Sequence, residues 1–145
     1  AYLEGGRIGV AAQAVGVARA ALEAALGYAR SRETFGQPII EHQAVGFRLA
    51  QMATQLEAAR QLTWHAAALA SAGQSALLAA SMAKAFATEM AEKVCSAALQ
   101  VHGGAGYTRA HPVEKYYRDA RVLSIYEGTN DIQNLVIARA LAKGM

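Results

Sequence analysis

The chain is short of the residues that staple, kink or charge a protein. It has one cysteine in 145 residues, Cys95, which excludes an intramolecular disulfide and any metal site built from cysteines alone. It has two prolines, so neither a collagen-like nor a proline-rich chain is in question. Charged residues make up 17% and the net charge is only +3. No block of five or six like charges occurs, so there is no basic stripe to grip nucleic acid. No uninterrupted apolar run approaches the roughly 20 residues of a membrane span. The first residues carry neither a basic start nor an apolar core, so they are not expected to be a signal peptide. They also lack an initiator Met, and the chain reads as a piece of something longer or a processed product.

What remains is abundant helix former. Residues are 54% hydrophobic, mostly alanine, with Leu, Glu, Gln, Arg and Met filling long stretches. Breakers cluster at Gly36–Pro38, Ser71–Gln74, Gly103–Gly106, His111-Pro112 and Gly128. The stretches between them predict helices over 2–32, 40–71, 75–102, 113–121 and 130–143, and no β-run of any length. Apolar residues recur at spacings of three and four. In the first helix they are Ile8, Ala12, Val15, Ala18, Leu22, Ala25, Leu26 and Ala29. In the second they are Val45, Leu49, Met52, Leu56, Ala59, Leu62 and Ala66. In the third they are Leu78, Met82, Ala85, Phe86, Met90, Val94, Ala98 and Val101. Short connections force neighbours to run antiparallel. The expectation is an all-α, up-and-down four-helix bundle of long antiparallel helices with a short extra helix, in one domain covering 1–145. Gly16 and Gly27, inside the first helix, are expected at close helix crossings.

Three segments could carry chemistry. Glu127 sits between Ile125-Tyr126 and Gly128 on a short loop before a helix start. A carboxylate held there, partly desolvated by aromatic cover, suits a general base; a surface glutamate fits the pattern as well. Behind it Asn130 and Gln133 resemble a capping box, and Asp131 complements the positive helix end. Asp119 could pair with Arg118 or Arg121 and brace the loop. The turn Arg30–Pro38 followed by Glu41-His-Gln43 offers arginine, threonine and amides to a phosphate, or is an ordinary turn. The glycines of Gln100–Tyr107 allow close ligand approach, or simply cap a helix. His42, His65, His102 and His111 lack metal-ligand spacing, so no metal is expected. Cys95 lies on an apolar run and reads as a packed thiol.

Taken together, Arg32-Glu-Thr-Phe-Gly36, Gln43, Gln100-x-x-Gly-Gly-x-Gly106, Tyr117-Arg-Asp-Ala120 and Ile125-Tyr-Glu-Gly-Thr129 resemble, in order and spacing, the C-terminal helical domain of acyl-CoA dehydrogenases. The family's N-terminal helical and middle β-domains have no counterpart in these residues. The resemblance implies FAD-dependent α,β-desaturation of a fatty acyl-CoA thioester, with Glu127 as the base that removes the α-proton and flavin N5 as hydride acceptor. It implies Gly128, Glu4 and Arg7 as substrate contacts, Arg7 being the best donor to carbonyl or phosphate groups. One branch of the family carries its base at the position of Gly6, and glycine cannot serve. Arg32, Thr34, Phe35, His42 and Gln43 resemble the turn that grips the FAD pyrophosphate and adenosine. Gln100, Gly103 and Gly104 resemble the adenine side. Both would reach a neighbouring subunit's flavin, while Thr129 and Asp131 touch the subunit's own. A homotetramer (a dimer of dimers), an electron-transfer flavoprotein as acceptor, and a cytoplasmic location, or the mitochondrial matrix in a eukaryote, are implied. Ala110 departs from the family, which usually has an acidic residue there. Two other readings stand beside this one: a catalytically inactive helical oligomerisation or binding domain, and a related acyl-CoA oxidase.

Overall fold

The computed structural model describes residues 2–144, and the chain is helical almost throughout. The elements are α1 (Tyr2–Ser31), a hairpin of β1 (Glu33–Thr34) and β2 (Gln37–Pro38), a 3-10 turn Ile39–Glu41, α2 (Gln43–Ser71), α3 (Leu77–His102), a 3-10 turn Gly103–Tyr107, α4 (Val113–Leu123) and α5 (Asn130–Ala142). The antiparallel bundle expected from the periodicity is present, with helix ends within about three residues of their predicted places.

Two contacts set the directions. Arg7 in the first turns of α1 reaches Ser81 near the start of α3. Tyr28 near the end of α1 stacks on His102 at the end of α3, ring centroids 4.4 Å apart. α1 and α3 are therefore parallel and pack directly on one another, and α2, which joins them in sequence, runs antiparallel to both. The fourth column is made by two helices. Arg121 at the end of α4 pairs with Glu92, Asn130 at the start of α5 meets Thr88 and Lys84, and Val136 lies in one groove with Leu78. α4 and α5 thus descend α3 one after the other. The break between them, residues 124–129, carries Glu127.

The core is built from small side chains. α1 buries Arg7, Val10, Ala11, Ala14, Ala18, Ala21, Leu22, Ala25 and Ala29, and α2 buries Leu49, Met52, Leu56, Ala59, Thr63 and Ala66. α3 is buried on nearly every side because α1 and α2 cover one flank and α4 and α5 the other. Alanine has no side-chain entropy to lose and lets helix axes approach, so this interior is dense without large residues. By length and composition Leu3–Ser31 could cross a bilayer, but its apolar stripe is the one packed into the bundle. Cys95 is fully buried, and its thiol is pushed up to about 12, mainly by burial and also by Asp119.

Several expectations are corrected. Ala12 is exposed, and so is Phe86 (41%); the seam of α1 lies one residue away, on Ala11 and Ala14. Gly16 and Gly27 are not at crossings, because a Cβ on either would meet open space; alanines make the close contacts instead. A hairpin exists where no strand was expected. Its two-residue strands pair Glu33 with Pro38 and Thr34 with Gln37, too short for any alternation to show. Phe35 and Gly36 both take positive φ (53° and 80°), as a tight two-residue hairpin turn demands.

Gly106 is a glycine the packing of the bundle needs for space. A Cβ there would stand 2.6 Å from His102 Cβ and 2.8 Å from Leu99 O. Gly106→Ala is expected to destabilise the domain by about 2 kcal/mol through overpacking, read as a lowered midpoint in denaturant at unchanged slope.

Candidate active site

The loop 124–129 is fixed from three sides. From α4, Arg121 Nη1 donates to Ser124 Oγ (2.6 Å), which donates to Glu92 Oε1 on α3 (2.9 Å). From α1, Gln13 Oε1 accepts from the Tyr126 hydroxyl. From α5, the fully buried Gln133 donates through Nε2 to Gly128 O (3.0 Å) and Glu127 O (3.4 Å). The expected capping box of Asn130 and Gln133 does not form. Thr129 is the N-cap, its hydroxyl accepting from Ile132 N (3.4 Å), while Asn130 and Gln133 turn inward. Asp119 pairs with Lys115 and Arg118 with Glu114 (2.6 and 2.9 Å), so the Asp119–arginine brace does not form; neighbours at i+4 win. Arg121 braces the loop through Ser124 and Glu92, without Asp119.

Held in this way, Glu127 adopts φ +55° and Gly128 φ +87°. A non-glycine residue in the left-handed region stores roughly 1–3 kcal/mol, and such strain gathers at functional sites. The conformation lays the carboxylate on α1 at Gly6, where a Cβ would overlap Glu127 Oε2 and stand 3.1 Å from Cδ. Only glycine leaves that seat open. Tyr126 turns its hydroxyl to Gln13; Glu127 is exposed in this chain, so the water exclusion a base needs must come from other surfaces. Beside it, Gln13, Gly16, Val17, Val122 and Tyr126 line an open groove of about 510 Å³.

Arg7 differs most from expectation. It is 6% exposed and turned into the bundle, its Nη1 donating to Ser81 Oγ (3.1 Å) and its Nε buried without a partner. In this position it cannot reach out to a carbonyl or phosphate. Glu4 is half-buried on the same helix.

The other residues gather at the far end of α1. There Gln37 Nε2 donates to His42 Nδ1 (3.2 Å), which leaves the His42 proton on Nε2 facing Thr34 Oγ1 (2.8 Å). This lock holds Phe35 out, 98% exposed, with its ring edge-on to His42. Arg32 and Gln43 are exposed beside it. The Tyr28–His102 stack brings the exposed Gln100, Gly103 and Gly104 to the same end. Gly6 and Ser31 are separated by roughly 38 Å along α1, at 1.5 Å per residue. Glu127, Gly128, Thr129 and Asp131 thus form one cluster and the hairpin residues another, at opposite ends. Among the described residues no group of three His, Cys, Asp or Glu could hold a metal ion.

The comparisons with known proteins give the family. The acyl-CoA dehydrogenase C-terminal domain profile matches residues 1–142. An acyl-CoA dehydrogenase of Bacillus subtilis is 52% identical over 99% of this chain and 38% of its own length. A subunit of the caffeyl-CoA reductase-Etf complex of Acetobacterium woodii is 48% identical over 97% of the chain and 37% of its own. Butyryl-CoA dehydrogenase of Megasphaera elsdenii superposes with a TM-score of 0.96 at 45% identity, over 97% of this chain and 37% of that one. The chain belongs to the acyl-CoA dehydrogenase family, as its C-terminal domain, and spans a little over a third of the length of these relatives.

Sequence reading missed Gln13, Lys84 and the inward role of Gln133. Of these only Lys84 carried a signal, a cation set among the alanines and apolar residues of the first turns of α3. The seat at Gly6 gives a sharp expectation. Gly6→Ala clashes only with the end of an exposed, flexible side chain and gains up to about 1 kcal/mol of helix propensity. Its melting temperature should hold or rise, while a crystal structure shows Glu127 displaced.

His102 gives a second. Burial holds it below the usual histidine range, the Ala98 carbonyl at Nδ1 opposes this, and His111 adds to the lowering. With the folded value below the unfolded one of about 6.5, the unfolded chain takes up the proton first. Stability is therefore full above that pH and falls as pH drops through it. Melting temperature measured from pH 7.5 to 5 should fall more steeply for the native protein than for His102→Gln.

Proposed function

We propose that the complete protein carrying this domain is an FAD-dependent acyl-CoA dehydrogenase that desaturates a fatty acyl-CoA thioester between its α- and β-carbons. The observation that carries the reading is the strained, three-sided hold on Glu127 over a position where only glycine fits. A thioester α-proton is weakly acidic, so the base must be placed before the reaction and not found during it. Glu127 takes that proton. FAD, when bound, supplies the acceptor for the hydride leaving the β-carbon. Gly128 lets substrate approach the backbone beside the base.

The residues present fit that cofactor, but not as one site in one chain. Thr129 and Asp131 stand by Glu127 at a helix N-terminus, which favours negative charge. Arg32, Thr34, Phe35, His42, Gln43, Gln100, Gly103 and Gly104 stand at the other end, too far to touch the same flavin. Phe35 in particular is held out almost fully exposed, with only the edge-on His42 ring beside it among the described residues. This separation supports an oligomer in which the hairpin end of one subunit completes the flavin site of another, and we assign a homotetramer, a dimer of dimers. The likeness to a subunit of an Etf complex supports an electron-transfer flavoprotein as acceptor. A single buried thiol fits a reducing compartment, the cytoplasm or a mitochondrial matrix. By itself the 145-residue chain, with Glu127 exposed to water, is an inactive helical domain and should show no stoichiometric flavin absorption. An oxidase would use the same base, and reaction with oxygen in a stopped-flow assay separates the two.

The test is Glu127→Gln in the complete protein. The amide keeps the shape and loses the proton acceptor. Turnover should fall by at least about 1,000-fold with flavin content and acyl-CoA affinity retained; unaltered turnover would overturn the assignment.

A further inference from the structure

The least expected group in the interior is Lys84. It is fully buried in α3, and among the described residues no carboxylate lies within ion-pair distance. Its surroundings are unfavourable to a cation. The start of α5, the positive end of that helix, sits on it through Asn130. Burial, and after it the Arg7 guanidinium, pull its ammonium below the usual lysine range. An unpaired buried charge of this kind is weak evidence for stability, and apolar residues of similar size often serve stability better. Something other than stability accounts for it.

Its bonding shows what. Lys84 Nζ donates to Asn130 Oδ1 (3.0 Å). Asn130 Nδ2 donates to Thr88 Oγ1 (3.0 Å), whose own hydroxyl donates to Lys84 O (2.9 Å). The three form a ring of donors and acceptors: the Lys84 ammonium, which only donates, and the Ala85 carbonyl, which only accepts (3.4 Å from Asn130 Nδ2), fix which way the Asn130 amide faces, while the Thr88 hydroxyl also has Ala85 O (3.3 Å) and Asn130 Oδ1 (3.1 Å) within reach. Asn130 is the first residue of α5, three positions after Glu127. The ring ties that residue to α3, and Gln133, one turn on, holds the 127 and 128 carbonyls.

We propose that Lys84 is a positioning residue for Glu127: through Asn130 it anchors the first turn of α5 and so keeps the 127–128 backbone in the left-handed conformation that seats the carboxylate over Gly6. The inference rests on the reading of Glu127 as the base. Lys84 touches neither substrate nor cofactor in this role. Its length and charge make it a strut: a neutral donor would bind the amide more weakly, and a shorter one would not reach from α3.

The experiment uses the complete, flavin-loaded protein. Lys84→Met keeps volume and removes the donor; Asn130→Leu removes its acceptor; the two are also combined. Misplacement of a catalytic group by about 1 Å can cost roughly 100-fold. The expected result is a fall in kcat of about 10- to 100-fold for each single variant, with KM changed by less than about threefold and the isotope effect of an α-deuterated substrate increased. The double variant should lose no more than the worse single one, because both break one linkage. Lys84→Met should also melt at the same temperature as the parent or higher. A kcat per flavin that stays within twofold in both single variants overturns the proposal, as do multiplicative losses in the double variant. If Lys84→Met does not fold, Thr88→Val, which opens the same ring, is read by the same criteria, and an unchanged kcat there is equally fatal. Glu127→Gln run alongside separates the two ideas. An active Glu127→Gln shows that the base was wrongly assigned, whereas an inactive one with normal turnover in Lys84→Met shows that only the strut was.

Discussion

The structure depends on one interruption being held open. α4 and α5 descend the same flank of α3 and would, but for residues 124–129, be a single helix. The break costs hydrogen bonds at both new helix ends and places a glutamate in the left-handed region. Those costs are offset locally. Ser124 and Arg121 close the end of α4, Thr129 caps α5, and Gln133 supplies the loop carbonyls with a donor from within. The bundle beneath, with its alanine seams, provides the rigid floor. A carboxylate on a free loop would sample many directions; here its backbone has one.

The helices were legible because burial writes a period into the sequence. Leu49, Met52, Leu56, Ala59 and Ala66 were read from spacing and are buried as expected. The breaks were legible too, since Gly36, Gly103 and Gly128 mark places where the chain takes positive φ. Alanine-rich helices blur the picture in rotation. When small residues occur on every side, spacing does not say which stripe faces inward, and Ala12 was taken for Ala11. The same ambiguity sent Gly16 and Gly27 to crossings that alanines occupy.

At the site, identity was legible and wiring was not. Glu127 stood out by its flanks and by the motifs around it. The seat at Gly6 is a contact between residues more than a hundred positions apart, and no local pattern encodes it. Asn130 and Gln133 satisfied the spacing of a capping box, but Thr129 offered a hydroxyl one residue earlier and took the cap, which freed both amides to point inward. Arg7 was expected to reach substrate because its segment resembles the family's substrate-contacting one; here it turns inward to a serine on α3.

The length of α1 has a consequence for how damage spreads. Its two ends serve different places: Gly6 seats the base, and Tyr28 supports the face that carries the hairpin. Under the shared-cofactor reading, a lesion at the hairpin impairs a neighbour's flavin, while a lesion at the seat impairs its own subunit's chemistry. An assembly mixing two chains, each broken at a different end, would then contain some centres that escape both faults. Whether a mutation in this domain is masked or dominant would follow from which end of one helix it strikes.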